Sequence, residues 1–131
     1  MYFQASMACS EMARTSSHRD LEVWKRGIDL SLRVRTLARQ FPREERYRLE
    51  DQLCRAARSV PANISEGFGR FTKPEFRKYL GYTLGEAAEV DTHLEIAIRS
   101  AFCDETEARA CQEAYMQLGW MIRRFKSSLR G

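Results

Sequence analysis

The sequence predicts an all-α protein, an up-down antiparallel four-helix bundle whose second helix is kinked at Pro61. Apolar residues recur at helical spacing in four long stretches. Short segments with turn-forming or capping residues separate these stretches, and short connections between long helices favour antiparallel neighbours. The length of 131 residues fits one domain, which we place at residues 19–131.

The residues before the bundle, 1–18, are expected to contribute nothing to its core. Met1–Ser6 resembles a protease-site and cloning remnant, so Met7 is the expected native start. Residues 7–18 show no helical periodicity and are typical of a flexible arm.

The first helix is predicted from about Asp20 to Gln40, with Ser17 as a capping residue three positions earlier. Its core seam follows the alternating spacing of four and three that bundle helices use. The seam consists of Val23, Gly27, Leu30, Val34, Leu37 and Phe41.

A second apolar stripe lies nearly opposite this seam, and the fourth helix repeats the feature. The residues concerned are Leu21, Trp24, Ile28 and Leu32 in the first helix, and Met116 and Trp120 in the fourth. One core needs only one apolar face per helix. The stripe therefore indicates either a homo-oligomer interface or a helix that is buried on two sides.

The second helix is predicted to begin near Arg43, after the break at Phe41-Pro42. Its apolar pattern passes through Pro61, and a proline inside a helix removes a hydrogen bond at a cost of about 3 kcal/mol. The helix therefore either ends at Ser59–Val60 or kinks and continues. Because the pattern survives, we predict a kink, with a buried Asn63 amide bonded to the carbonyls that the kink frees. The face consists of Leu49, Leu53, Ala56, Val60, Asn63, Ile64 and Gly67.

The third helix is predicted to begin with the capping box Thr72–Glu75 and to reach about Ala101. Gly81 and Gly85 lie on one side of it, and each costs about 1 kcal/mol relative to alanine. We expect close packing against a neighbouring helix to compensate. The core seam consists of Phe76, Leu80, Thr83, Ala87, Val90, Leu94 and Ala97.

The fourth helix is predicted to start at Asp104, which has Glu107 three residues later, and to end near Leu129. Its core seam has the same alternating spacing as that of the first helix. The seam consists of Cys111, Tyr115, Leu118, Ile122, Phe125 and Leu129.

The segment Ser59–Arg70, with the sequence Ser-Val-Pro-Ala-Asn-Ile-Ser-Glu-Gly-Phe-Gly-Arg, resembles the hallmark of a family of small bacterial four-helix-bundle proteins. These proteins are encoded by intervening sequences within 23S ribosomal RNA genes. The family includes the accessory variability determinant proteins of diversity-generating retroelements. Four further segments agree with the resemblance: Asp20–Trp24, Phe41–Glu45, Lys73–Phe76 and Leu84–Glu89.

The resemblance covers about Asp20 to Leu129 and carries expectations about assembly. Members of the family form barrel-like homopentamers, so it implies that the second apolar stripe is an oligomer interface and that the protein is a pentamer. In the retroelement branch such proteins partner a reverse transcriptase in cDNA synthesis primed by the template RNA. Nothing in the sequence decides between this branch and the intervening-sequence branch.

Basic residues make nucleic acid a candidate partner. The net charge is +4 and the sequence pI is about 9.0. Residues 19–70 hold twelve Lys and Arg against eight Asp and Glu, and arginine suits bidentate contact with phosphate. The candidate nucleic-acid-binding residues are Arg26, Arg33, Arg46, Arg48, Arg55, Arg58, Arg70, Lys73, Arg123, Arg124 and Lys126.

A solvated helix surface is the alternative explanation of these charges. Glu22 with Arg26 and Asp29 with Arg33 are spaced for ion pairs within one helix. No motif that reads a DNA groove is present. Any nucleic-acid contact is therefore expected to involve backbone and shape, with RNA or DNA as the ligand.

The sequence gives little support to an enzyme or a metal site. It has no Cys-x-x-Cys motif and no pair of histidines, and His93 would need a second coordinating side chain. We expect no catalytic residues, no metal and no cofactor. The sequence contains no apolar run of 18 residues, so we expect no membrane-spanning helix. The unpaired spacing of Cys9, Cys54, Cys103 and Cys111 favours the reducing cytoplasm.

We therefore expect a non-enzymatic, basic, oligomeric scaffold that binds structured nucleic acid, RNA in preference to DNA, with a reverse transcriptase as a partner in the retroelement branch. The alternative is a ring with a purely structural or protein-interaction role, whose charges serve subunit contacts. The positions of the arginines distinguish the two. Five subunits would carry about +20, which strengthens binding to a polyanion through multivalency.

Overall fold

The computed structural model describes residues 17–130. Within them the chain forms four long helices and no strand, which confirms the all-α bundle. The helices are α1 (Glu22–Ala38), α2 (Leu49–Phe68), α3 (Lys73–Arg99) and α4 (Glu105–Ser128). The predicted tag remnant and arm fall on residues 1–16, outside the described part, and on Ser17 and His18.

Two helix starts differ from the sequence prediction. The Ser17 hydroxyl accepts a hydrogen bond from the Arg19 amide and caps a short 3₁₀ turn, His18–Asp20, so α1 begins only at Glu22. A second 3₁₀ turn, Arg43–Glu45, occupies the place where the second helix was expected to begin. The chain leaves helical dihedral angles again before α2. In both places a 3₁₀ turn contains residues that the sequence predicts to be part of the following α-helix.

Helix α2 continues through Pro61, so the alternative of an end at Ser59–Val60 is wrong. The bend itself stays a prediction. The proline ring is buried, and a Cβ at Gly27 of α1 would lie 3.4 Å from it. Asn63 is half-buried, and its Nδ2 donates to the Ser59 carbonyl over 2.9 Å. That carbonyl is not the one that Pro61 leaves without a donor, which belongs to Ala57, so the predicted role of Asn63 is wrong.

The four predicted seams form the core. Every seam residue of α1, α3 and α4 is buried, and in α2 only Leu49 and Asn63 are half-buried. Burial of one large apolar side chain contributes about 1.5–3 kcal/mol to stability. Packing of the four seams is therefore the main source of stability of the fold.

Contacts between helix ends are those expected of antiparallel neighbours. Near the start of α3 and the end of α4, the Phe76 and Phe125 rings are 5.2 Å apart. At the opposite end of both helices, Arg109 of α4 bonds to Glu95 of α3. Helices α1 and α4 also pack together, which closes the bundle.

The close packing predicted at Gly81 and Gly85 is absent from the described chain. A Cβ at Gly81 would meet only the Lys126 Cε, at 3.8 Å, and one at Gly85 would meet nothing within 4 Å. This side of α3 is therefore open and available to a partner.

Candidate nucleic-acid interface

The basic side chains predicted to bind nucleic acid are divided between the two ends of the bundle. Arg48 lies just before α2 and Arg70 just after it. A helix of 20 residues spans about 30 Å, so these two side chains do not contribute to one small site. The two ends also differ in their charge.

We call residues 66–78 and 123–130 the basic end. These segments join because Gly67 packs against the Tyr79 side chain and because the Arg77 Nε donates to the Lys126 carbonyl over 3.3 Å. They contain eight Lys and Arg residues against two glutamates, Glu66 and Glu75. The cations are Arg70, Lys73, Arg77, Lys78, Arg123, Arg124, Lys126 and Arg130.

We call residues 39–51 and 99–109 the mixed end. The Gln40 side chain joins the two segments, because it accepts a bond from the Asp104 amide at 2.9 Å and donates to Glu107 at 2.7 Å. These segments hold six Lys and Arg against seven Asp and Glu. Arg46 and Arg48 are exposed there, but the acidic residues around them leave no net positive charge.

Arg70 is the most strongly positioned cation of the basic end. Its Nε donates to Glu66 at 3.2 Å and its Nη2 donates to the Tyr79 hydroxyl at 2.9 Å. The guanidinium carbon also lies 5.3 Å from the centre of the Tyr79 ring. Lys78 lies 5.8 Å from the same ring and pairs with Glu75 at 3.1 Å, which raises the pKa of its ammonium group. The two cations therefore flank one tyrosine.

The remaining candidates lie along the helices, away from both ends. Arg26 pairs with Glu22 at 3.3 Å, as the sequence predicts, and Arg55 pairs with Asp51 at 3.1 Å. Among residues 17–130, Asp29 and Arg33 form no ion pair, so that part of the prediction is wrong. Arg58 is exposed on α2. These exposed pairs contribute about 0–1 kcal/mol each and indicate a solvated surface.

Sequence reasoning missed three cations of the basic end as ligand-binding candidates, Arg77, Lys78 and Arg130. Their position depends on the register between α3 and α4, which helical spacing within one helix does not reveal. Arg26 and Arg33 of α1, by contrast, were predicted as candidates but lie outside this end.

The second apolar stripe of α1 is only partly exposed. Leu21 is completely buried in the core, because the 3₁₀ turn folds it inward, and its assignment to an oligomer interface is therefore corrected. Trp24 is half-buried, with His18 stacked edge-on at 5.2 Å and Arg19 at 5.7 Å from its ring. Ile28 is half-buried and Leu32 is 50% exposed. The accessible part of the stripe is thus Ile28 and Leu32.

Met116 and Trp120 are exposed and line a groove between α3 and α4. The groove has a volume of about 410 Å³. Its wall is mainly apolar, with charged side chains at Asp91, Glu113 and Arg123. The other apolar residues in the wall are Leu84, Ala87, Ala88 and Gly119.

The side chains that an enzyme or a metal site would need were located among residues 17–130. His93 does not line the groove, and its Nε2 lies 3.6 Å from Glu89 with no hydrogen-bond partner in reach. Burial raises the pKa of the thiols of Cys54, Cys103 and Cys111, which disfavours the nucleophilic thiolate. Within the same residues, His, Cys, Asp and Glu side chains form no group of three that could hold a metal ion. No helix there is long and apolar enough to cross a membrane.

Comparison with known proteins identifies a family to which the sequence is similar. The family described as 23S rRNA-intervening sequence protein matches residues 19–124. The chain belongs to this family. No curated protein matches it.

A solved structure agrees with the fold of this intervening sequence protein. It is the 1.70 Å crystal structure of a protein of unknown function from the S23 ribosomal protein family of Bacteroides thetaiotaomicron VPI-5482. The two chains are 20% identical, with a TM-score of 0.73 over 80% of this chain and 95% of the other. At this identity the likeness supports the shared fold alone.

The segment Ser59–Arg70 joins the core to the basic end. A Cβ at Gly67 would lie 2.6 Å from the Tyr79 Cβ, so only glycine allows α2 and α3 to approach this closely. Tyr79 in turn holds Arg70. The segment therefore positions a cation as well as packing two helices.

Proposed function

We propose that this intervening sequence protein is a non-enzymatic, homo-oligomeric scaffold that binds structured nucleic acid, RNA in preference to DNA, through the basic end. The excess of eight cations over two carboxylates in residues 66–78 and 123–130 carries the proposal. The mixed end offers no comparable excess, so nucleic acid should prefer one end of each subunit.

The form of the basic end fits contact with phosphate backbone. Lys73 and Arg130 are exposed, and Arg70 is oriented by Glu66 and Tyr79. A guanidinium held in place loses less conformational entropy when it binds phosphate. The sequence has no motif that reads a DNA groove, so recognition by charge and shape is the expected mode.

A salt titration with matched charge reversals tests this proposal. The test variant combines Lys73→Glu with Arg130→Glu, and the control combines Arg46→Glu with Arg48→Glu at the mixed end. Both change the net charge by the same amount. Binding of a structured RNA and of a DNA duplex would be followed by fluorescence anisotropy over a range of salt concentrations, after removal of co-purified nucleic acid.

The test variant should bind more weakly, and its log–log salt slope should fall by about 1.5, because each lost phosphate contact removes roughly 0.7–0.9. The control should keep the slope. Equal losses in both variants, or a shallow slope with no RNA preference in the wild type, would mean non-specific basic attraction only.

The oligomer is proposed to form when the α1 stripe of one subunit enters the α3–α4 groove of the next. Leu32 projects from one surface and Trp120 borders the other. The charges are partly complementary: Arg33 and Arg35 flank the stripe, whereas the groove is lined by two carboxylates, Asp91 and Glu113, and one cation, Arg123. Such a head-to-side contact closes into a ring when the rotation between subunits allows it. A ring of five follows from the family resemblance.

The second candidate function is a structural ring whose basic charges serve subunit contacts and not nucleic acid. The charges at the proposed junction favour it, because Arg35 flanks the α1 stripe and Asp91 and Glu113 line the groove.

A reverse transcriptase is proposed as a protein partner if the chain belongs to the retroelement branch. The support is the resemblance of Ser59–Arg70 to the accessory variability determinant proteins. Co-expression with the reverse transcriptase of a neighbouring gene, followed by co-purification after nuclease treatment, tests it. Loss of the complex after nuclease treatment would show that RNA alone bridges the two proteins.

A further inference from the structure

Phe71, in the turn between α2 and α3, has two unfavourable features. Its φ is 65°, in the left-handed region that bulky residues seldom adopt, and it is 91% exposed. Glycine or asparagine is the usual choice for such a position. Here the nearest glycine, Gly69, has a φ of −68°, so it does not occupy the left-handed conformation that glycine adopts more easily than other residues.

The corresponding turn between α3 and α4 also has a non-glycine residue with a positive φ, but its aromatic side chain packs inward. Ala101 carries the positive φ there, at 57°, and the phenylalanine that follows it packs inward. That residue, Phe102, is half-buried with its ring 6.1 Å from Phe41. Phe71 has no comparable contribution to the core. Stability alone therefore gives no reason for an aromatic side chain at position 71.

The surroundings of Phe71 combine cations with aromatic rings. Arg70 precedes it and the exposed Lys73 follows two positions later. Arg70 contacts Tyr79, whose ring lies 5.2 Å from that of the exposed Tyr82. An exposed ring next to oriented cations is the combination with which proteins bind unpaired bases and their phosphates.

The turn itself is held without the Phe71 side chain. The Phe71 amide donates to the Phe68 carbonyl at 3.3 Å, and the Arg70 amide donates to the Gly67 carbonyl at 3.2 Å. The Thr72 side chain caps α3. The Phe71 ring can therefore contact a ligand without any change in the backbone of the turn.

We infer that Phe71, with Arg70 and Lys73, is a stacking platform for an unpaired base in a loop, bulge or end of the bound nucleic acid. The inference rests on the proposed function and gives it a ligand class. Cations of the basic end would hold the phosphates of the paired stem, while Phe71 stacks on one base. Binding would then favour a looped RNA over a perfect duplex of equal length.

The experiment compares an RNA hairpin, with 2-aminopurine in its loop, and a blunt duplex of the same stem. Phe71→Ala should weaken hairpin binding about tenfold, within the range for loss of one stacked base, and leave duplex binding and the salt slope unchanged. Phe71→Trp should restore hairpin affinity. The quenching of 2-aminopurine fluorescence on binding should disappear with Ala and return with Trp, which a merely structural role would not produce.

Tyr47 supplies the matched control, since it is an aromatic residue that is 84% exposed at the mixed end. Tyr47→Ala should change neither affinity nor fluorescence. Phe71→Gly should behave as Phe71→Ala in binding but melt at a higher temperature than Phe71→Ala, because glycine relieves the backbone strain.

The outcomes separate the inference from the proposed function. If the wild type binds neither RNA at moderate salt, the proposed function fails and takes the inference with it. If both RNAs bind with a steep salt slope and Phe71→Ala binds the hairpin like the wild type, the inference alone is overturned. A change in native mass in Phe71→Ala would also overturn it, because the ring would then be a subunit contact.

Discussion

The Nε of Arg77 donates a hydrogen bond to the main-chain carbonyl of Lys126 over 3.3 Å. That carbonyl also accepts a 3.2 Å hydrogen bond from the Leu129 amide at the end of α4, so the guanidinium uses its second lone pair. It also fixes the start of α3 beside the end of α4. Two basic segments far apart in sequence thereby form one surface.

The first prediction concerns this bond. Arg77→Met should lower the free energy of unfolding by about 1 kcal/mol, the usual net contribution of one intramolecular hydrogen bond. Urea unfolding measures the change. Lys73→Met, at an exposed position of the same helix, should change stability by less than about 0.5 kcal/mol. Equal effects of the two substitutions would show that the bond to Lys126 contributes nothing.

Gly67 gives a prediction about the joint between α2 and α3. A Cβ there would lie 2.6 Å from the Tyr79 Cβ and 3.0 Å from the Phe76 Cδ1, so the helices must separate. Gly67→Ala should therefore cost about 1–3 kcal/mol, the range for an overpacked core, in thermal or urea unfolding.

Gly81 is the control for this substitution. A Cβ there meets only the flexible end of Lys126, at 3.8 Å. Gly81→Ala should stabilise α3 by up to about 1 kcal/mol, because alanine has the higher helix propensity. A Gly67→Ala protein as stable as the wild type would show that α2 and α3 can move apart freely.

The core was predictable from sequence because it depends on spacing within each helix. The α4 seam that contains Leu118 and Ile122 follows from one alternating pattern, and its burial follows from the same pattern. Leu21 was misplaced because helical spacing was extended into residues that form a 3₁₀ turn. Apolar spacing alone does not indicate the residue at which a helix begins.

The candidate site was harder to predict because it depends on contacts between elements. Arg70 and Lys73 were recognised as basic, but Arg77 and Lys126 come together only through the register of α3 against α4. Phe71 was not recognised at all. Its positive φ depends on how two helices meet, and no local residue preference signals it.

The interactions of Glu95 predict that the protein becomes less stable at acid pH. Hydrogen bonds from Gln112, Arg109 and Arg99 lower its pKa from an ordinary 4.5 to about 2. Because the folded state binds this proton less readily than the unfolded state, the stabilisation is complete above about pH 4.5 and is lost as the pH falls toward about 2.

Urea unfolding at a series of pH values between these limits measures this contribution. The wild type should lose stability with falling pH more steeply than Glu95→Gln, which has no charge to lose. Arg109→Gln should make the wild-type slope shallower, since it removes one of the three donors. Parallel pH profiles for the wild type and Glu95→Gln would refute the assignment.

The last prediction tests the head-to-side assembly with two variants and their mixture. Leu32→Glu damages the α1 stripe and Trp120→Glu damages the α3–α4 groove, and each side chain is exposed enough for the fold to tolerate the change. Each variant should be monomeric by native mass spectrometry with unchanged helix content. Trp24→Glu is a poorer probe, because that ring is half-buried and packs against the core.

An equimolar mixture of the two variants should form a heterodimer and nothing larger. The Leu32→Glu subunit retains an intact groove and the Trp120→Glu subunit retains an intact stripe, so the pair can make one native junction but cannot propagate it. If the interface were isologous, with stripe against stripe, Trp120→Glu would keep the wild-type mass on its own, and mixing it with Leu32→Glu would yield no heterodimer. If both single variants kept the wild-type mass, neither surface would be part of the assembly.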